Sequence, residues 1–375
     1  MLFEPAVAAD DVLDLRRRLA SVRWPSASLD PGHGTSLERM KHLVSRWERD
    51  YDFERLEQRL RTHPQIRLEV DGVLHHAVYL RSPDPAAVPL LLGHGWPSTC
   101  YEFDRVVERL TQASDHAPAF HVVCPSLPGY AYSGKPTEPG WGPARTADAW
   151  VSLMSALGHD RFVAHGGDWG ASVSTELAIR HPDRLLGLHL SMPLVQVTEE
   201  DRAAVTTELG RAGAERERAF RRSGYAYALL QMTRPQTIGY SLEDSPVGLL
   251  AWLTEKLDAW SDWHPDRSSF LDDDAVLDVT SVYWLTRSAT SAARMYAEGL
   301  RSDLGRAVTE VPTGCSIFGA DVIQPPRSAV ERRYRRLVTW SELEHGGHFP
   351  AAEVPDIFID EIRAFARGIG LTRAT

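Results

Sequence analysis

His165-Gly166-Gly167-Asp168-Trp169-Gly170 is the stretch on which the fold turns. The run before it, Arg161-Phe162-Val163-Ala164, is short, apolar and bounded, as a buried strand is. The run after it, Ala171 to His181, has helical periodicity and stops before Pro182. Small-x-Asp-x-small therefore falls on a sharp strand-to-helix turn, where Gly166 and Gly170 permit close backbone approach. Such a turn lifts one side chain above a sheet and presents it as a nucleophile. Here that side chain is Asp168. A carboxylate attacking an acyl carbon would give an anhydride, a poor route for an esterase. It suits in-line displacement at saturated carbon, such as an epoxide or an alkyl halide, through an alkyl ester of the enzyme. The bland alternative is a buried aspartate that only caps the helix.

Outward from the turn, strand and helix signals alternate. Ile66 to Val70, Asp71-Gly72 and Val73 to Leu80 read as a hairpin. Pro89 to Leu92, Phe120 to Cys124, Leu185 to Leu190, Thr313 to Phe318 and Leu337 to Trp340 read as strands. Tyr101 to Leu110, Pro143 to Leu157, Pro326 to Tyr334 and Pro355 to Arg367 read as the helices between and after them. This rhythm implies parallel βαβ units and a sheet covered on both faces. With the aspartate turn at its centre, the expected fold class is α/β, an α/β-hydrolase core. From Pro193 the rhythm gives way to a long helical segment with Leu249, Leu250, Leu253, Leu257 and Trp260 at helical spacing. Before Gln65, Asp10 to Val22 and Leu37 to Leu60 read as helical and too amphipathic to stand alone. The expected division is an N-terminal meander at 1–64, a core at 65–192 and 303–375, and an inserted helical cap at 193–302.

The 375 residues include 43% hydrophobic and 25% charged side chains, as a soluble globular protein does. A formal net charge of -10 argues against nucleic acid or an anionic membrane as partner. The opening residues lack a basic and apolar leader pattern, and no run of 18 apolar residues occurs. Cys100, Cys124 and Cys315 are scattered and odd in number, so they read as reduced thiols of a cytoplasmic protein.

The remaining chemistry gathers around Asp168. His94-Gly95-Trp96-Pro97 directly follows a strand, where this fold supplies one oxyanion-hole amide; the residue after the nucleophile supplies the other. That nominates the backbone N–H groups of Trp96 and Trp169, whose indoles would also wall the pocket. The base must follow the last strand, and Gly346-Gly347-His348-Phe349 places His348 there ahead of its neighbour His345. Asp321 lies just past a strand, giving the chain order nucleophile, acid, histidine. Ser191 and Met192 hold the other place for the acid, and neither is acidic. A leaving alkoxide needs a proton donor, and the cap offers Tyr225, Tyr227, Tyr240, Tyr283 and Tyr296 without choosing among them.

Taken together these residues resemble the epoxide hydrolases of the microsomal type, in their soluble bacterial form. The resemblance covers nearly the whole chain. Besides the motifs above it includes Trp47…Tyr51-Asp52-Phe53, Thr233-Arg234-Pro235-Gln236-Thr237 and Asp244-Ser245-Pro246-Val247-Gly248. It implies Asp168 as nucleophile, His348 as base and Asp321 as its acid. Tyr227, with Gln231 and Thr233 following, fits the family's first acid tyrosine better than Tyr225, and Tyr296 matches the second. Gly319 stands where a proline is usual, His345 where an arginine is common, and Pro350 follows Phe349. The resemblance further implies an apolar epoxide as substrate, a vicinal diol as product, no metal or organic cofactor, and no membrane anchor. A homodimer is compatible with it. The rival expectation is a haloalkane dehalogenase, which shares the HGxP turn and the Asp-Trp elbow and would use the Trp169 indole to bind halide.

Overall fold

The computed structural model describes residues 1–114, 117–262, 272–299 and 307–372. Nine strands form one sheet: β1 (Leu2–Phe3), β2 (Gln65–Val70), β3 (Val73–Leu80), β4 (Val88–Gly93), β5 (Phe120–Pro125), β6 (Phe162–Gly166), β7 (Leu185–Leu190), β8 (Thr313–Phe318) and β9 (Leu337–Leu343). Their spatial order is β1-β2-β3-β5-β4-β6-β7-β8-β9. The pairs from β1 to β3, and β3 with β5, are antiparallel. Every pair from β5 to β9 is parallel. The β2–β3 hairpin turns at Asp71 and Gly72, both at positive φ (51° and 73°), as a two-residue turn matched to strand twist requires.

The central strands are apolar on both faces because helices cover both. All five residues of β6 are buried, as are all six of β5 and of β8. The helix Asp168–Arg180 follows β6 with only Gly167 between, so the turn is as sharp as the glycines allow. Between Ser191 and Gly299 the described residues contain helices and turns and no strand. The expected boundary at 302/303 lies outside the described residues.

Two sequence expectations differ from the structure, and one strand was not expected. Tyr101 to Leu110 is two short pieces, Cys100–Phe103 and Val107–Leu110, rather than one helix. Leu37 to Leu60 is two helices, Leu37–Arg49 and Phe53–Leu60, because Asp52 starts the second by accepting a hydrogen bond from the Arg55 amide. β1 carries no readable pattern in its two residues, yet it pairs with β2.

These N-terminal helices bury their apolar stripes against the inserted helices and are fastened there by polar contacts. The Trp47 indole donates to Ser281 Oγ at 2.9 Å, and Arg46 holds Asp274 with contacts of 3.0 and 2.7 Å. Asp278 is buried and accepts from Tyr51, from Arg55 and, at 2.6 Å, from Arg59. Arg59 reaches Asp104 at 3.1 Å as well, so one guanidinium joins the meander, the inserted helices and the sheet domain. Among the described residues no helix is long and apolar enough to cross a membrane.

Candidate active site

Asp168 sits at the C-terminal end of β6 with φ at 48°, a left-handed backbone that a non-glycine residue adopts only under constraint. The constraint is steric. A Cβ on Gly170 would stand 2.0 Å from the Gly93 carbonyl oxygen, and one on Gly95 would stand 2.2 Å from Asp168 Cβ. The glycines therefore let the strand ends of β4 and β6 and the elbow helix meet where the carboxylate emerges. His94 braces the same corner. The Leu127 amide donates to its Nε2 at 3.1 Å, so the proton is on Nδ1, which donates to the Gly95 carbonyl at 3.0 Å. Burial holds this imidazole down at about 4, in the neutral form the two bonds need.

The Trp96 amide donates to Asp168 Oδ1 at 2.8 Å, and Oδ2 faces His348 Nε2 at 3.5 Å. His348 Nδ1 donates to Asp321 Oδ1 at 2.9 Å, and the same oxygen accepts from the Val322 amide at 2.7 Å. Asp168, His348 and Asp321 thus form one line. Burial alone would push the imidazole down. The Asp321 and Asp168 carboxylates outweigh it and hold His348 well above its ordinary value of 6.5.

Over this line lies an aromatic box. Tyr227 stacks on Trp96 with ring centres 4.9 Å apart and planes at 14°. Tyr296 stands edge-on to Trp169 at 4.8 Å, and the two phenol oxygens are 3.5 Å apart. Burial, with the Asp168 charge adding for Tyr227 and Tyr227 and Asp168 adding for Tyr296, holds both phenols well above 10, so each remains a proton donor. Trp169 Nε1 is buried and makes no hydrogen bond among the described residues.

All seven residues expected at the site meet here: Asp168, His348, Asp321, Tyr227, Tyr296, Trp96 and Trp169. The other tyrosines lie elsewhere. The Tyr225 hydroxyl points at Met232 Sδ, 3.8 Å away; Tyr240 is 71% exposed; Tyr283 donates to the Ser98 carbonyl at 3.1 Å. His345 is half-buried in the loop before His348, and Ser191 lines a small cavity beside Asp168 and His348 with room for about one water.

Four further residues complete the site and were not singled out from sequence. Trp260 packs its ring on His348 at 4.8 Å and accepts the His348 amide at its carbonyl at 2.9 Å. Glu353 accepts from the amides of Gly347 (3.1 Å), Phe349 (2.8 Å) and Asp262 (2.5 Å), clasping the loop on both sides of His348. Burial pushes Glu353 up to about 7. Glu102 lines the small cavity, and burial pushes it up to about 8. Lys256 lies buried against Tyr227. The missed signal was present for Glu353 alone, three residues past Pro350 where a short helix caps the loop.

Comparison with known proteins points to one family. Residues 2–103 match the family described as epoxide hydrolase N terminus, and residues 88–223 match the alpha/beta hydrolase fold. A Stigmatella aurantiaca protein named provisionally as an epoxide hydrolase is 42% identical, covering 96% of this chain and 83% of that protein. Epoxide hydrolase 1 of Sus scrofa is 30% identical, covering 97% and 87% respectively. The crystal structure of juvenile hormone epoxide hydrolase from the silkworm Bombyx mori superposes with a TM-score of 0.90 at 27% identity, over 98% of this chain and 94% of that one. The chain belongs to the epoxide hydrolases of the α/β-hydrolase superfamily.

Proposed function

We propose that this epoxide hydrolase works through a covalent ester on Asp168, and that its substrate is an apolar epoxide converted to a vicinal diol. The observation that carries this reading is the line Asp168–His348–Asp321 facing the paired phenols of Tyr227 and Tyr296. With Oδ1 held by the Trp96 amide, Oδ2 is the oxygen free to attack a ring carbon. The carbon–oxygen bond breaks as the epoxide oxygen takes a proton from the tyrosine pair. A donor of this kind is worth roughly 10²–10⁴-fold in rate.

Ester formation removes the Asp168 charge, one of the two that hold the proton on His348. The imidazolium can then restore the phenol and become a neutral base. His348 next takes a proton from water, hydroxide adds to the ester carbonyl, and the Trp96 and Trp169 amides take the oxyanion. Collapse expels the diol's second oxygen, which takes the proton of the added hydroxyl; Asp168 returns as the carboxylate and His348 as the imidazolium, so epoxide plus water are accounted for. In this reading the meander spans 1–64, the cap 193–302, and the core 65–192 and 303–375. The aromatic walls favour an apolar substrate, and the chain acts as a soluble enzyme, with or without a second copy.

The test is intact-protein mass spectrometry of His348→Gln mixed with a styrene-type epoxide. A gain of one substrate mass on the peptide carrying Asp168 is expected. Wild-type diol formation without any adduct in the variant would overturn the covalent route. The unpartnered Trp169 indole is a feature that a halide could use. A haloalkane that loads the variant and releases halide from the wild type would therefore favour the dehalogenase reading.

A further inference from the structure

Lys256 is only 4% exposed, although nothing in the chemistry above uses it. It lies one turn before Trp260 on the helix Pro246–Trp260, on the face turned toward the site. Its Nζ stands 4.7 Å from the centre of the Tyr227 ring. It also donates to the Gly224 carbonyl at 3.3 Å and pairs with Glu255 at 2.8 Å. Gly224 ends the wide helical turn Phe220–Gly224 immediately before the helix that carries Tyr227. One ammonium therefore touches both the ring and the backbone leading to it.

We propose that Lys256 is a positioning residue for ring opening: its buried positive charge, set over the Tyr227 ring, stabilises the phenolate that develops as Tyr227 gives its proton to the epoxide oxygen. The proposal rests on Tyr227 being a proton donor. The physical argument is one of distance and medium. A cation near a phenol favours the negative form, and the effect grows where water is excluded. Tyr227 is buried between Trp96, Trp260 and Tyr296, so the field of Lys256 acts on it with little screening. Glu255 opposes that field, but its side chain is 40% exposed and water weakens it. The lysine thus lies in the dry interior against the ring, and its counter-charge lies nearer the water. The proton transferred is that of Tyr227 throughout.

A double-mutant cycle on the single-turnover ring-opening rate tests this, read by quenching of the tryptophans that line the site. Lys256→Gln keeps a donor for the Gly224 carbonyl and removes the charge. It is expected to slow ring opening by roughly 10- to 100-fold while hydrolysis of the formed ester stays within about twofold. In a Tyr227→Phe background the same change is expected to cost less than about twofold, since the group it acts through is gone. An equal loss in both backgrounds, or no loss in the first, overturns the proposal and leaves the role of Tyr227 standing. If Tyr227→Phe opens the ring at the wild-type rate, the parent reading of Tyr227 fails instead. Should Lys256→Gln not fold, Glu255→Gln gives the opposite arm: with the ammonium unopposed, ring opening is expected to quicken, and an unchanged or slower rate overturns the proposal.

Discussion

The two halves of the site are held by different physics. On the sheet side, the backbone holds the proposed nucleophile: the end of β4, the turn after it and the elbow helix meet at Gly93, Gly95 and Gly170, with Asp168 at positive φ. On the inserted-helix side, side chains hold the proposed acids: Tyr227 against Trp96 and Trp260, Tyr296 against Trp169. A backbone-held group tolerates almost no change in its supports. A side-chain-held group depends on packing that neighbouring rings partly share. The difference teaches where mutation should be catastrophic and where it should be graded.

The largest expected effect is on the sheet side. Asp168→Asn should lower turnover by about 10⁴-fold or more, as loss of a nucleophile does. Steady-state diol formation by a variant verified free of deamidation measures it, and near-normal activity would end the covalent reading. Gly170→Ala comes next. Its new Cβ would collide with the Gly93 carbonyl, so we expect about 3 kcal/mol of destabilisation. Denaturant titration reads this directly, and a melting curve like the wild type's would show that the elbow is less constrained than its contacts imply.

On the other side, Tyr227→Phe and Tyr296→Phe should each slow ring opening by about 10²-fold with folding preserved. Each leaves one phenol in place, so the double variant should lose more than either. Rapid-quench kinetics separates ring opening from ester hydrolysis, and an effect confined to hydrolysis would reverse the assignment of the tyrosines.

The smallest effect concerns pH. The folded-state shift of His348 is upward, so the stability it contributes is fully present below 6.5 and fades as pH rises through the higher folded value. The melting-temperature advantage of the wild type over His348→Gln should therefore shrink from about pH 6.5 upward. A gap that widens in that range contradicts the pairing with Asp321 and Asp168.

The same contrast explains what could be read from the chain alone. The elbow, the HGWP turn and the strand ends are legible because backbone geometry demands particular residues: glycines where chains touch, unbroken apolar runs where a sheet is covered on both faces. The order Asp168, Asp321, His348 follows from where strands end. The tyrosines are not legible from composition, because a phenol in a helix looks the same whether it packs or donates. Only resemblance selected Tyr227 and Tyr296, and only the folded chain shows Tyr225 turned toward Met232. Lys256 and Trp260 were hidden for a related reason. Their spacing on the helix is that of ordinary packing, and nothing local marks one as a buried cation. β1 escaped because two residues carry no period.

Asp278 has a consequence for how the protein is made. Its partners Tyr51, Arg55 and Arg59 lie 227, 223 and 219 residues earlier in the chain. As the polypeptide leaves the ribosome, the first helices emerge with apolar stripes and arginines and wait for most of the chain before their anchor appears. Closing a contact of such span is slow, and surfaces left open that long invite association with the wrong neighbour. Yield on expression should accordingly depend on chaperone supply and on the rate of synthesis, through residues outside the proposed mechanism.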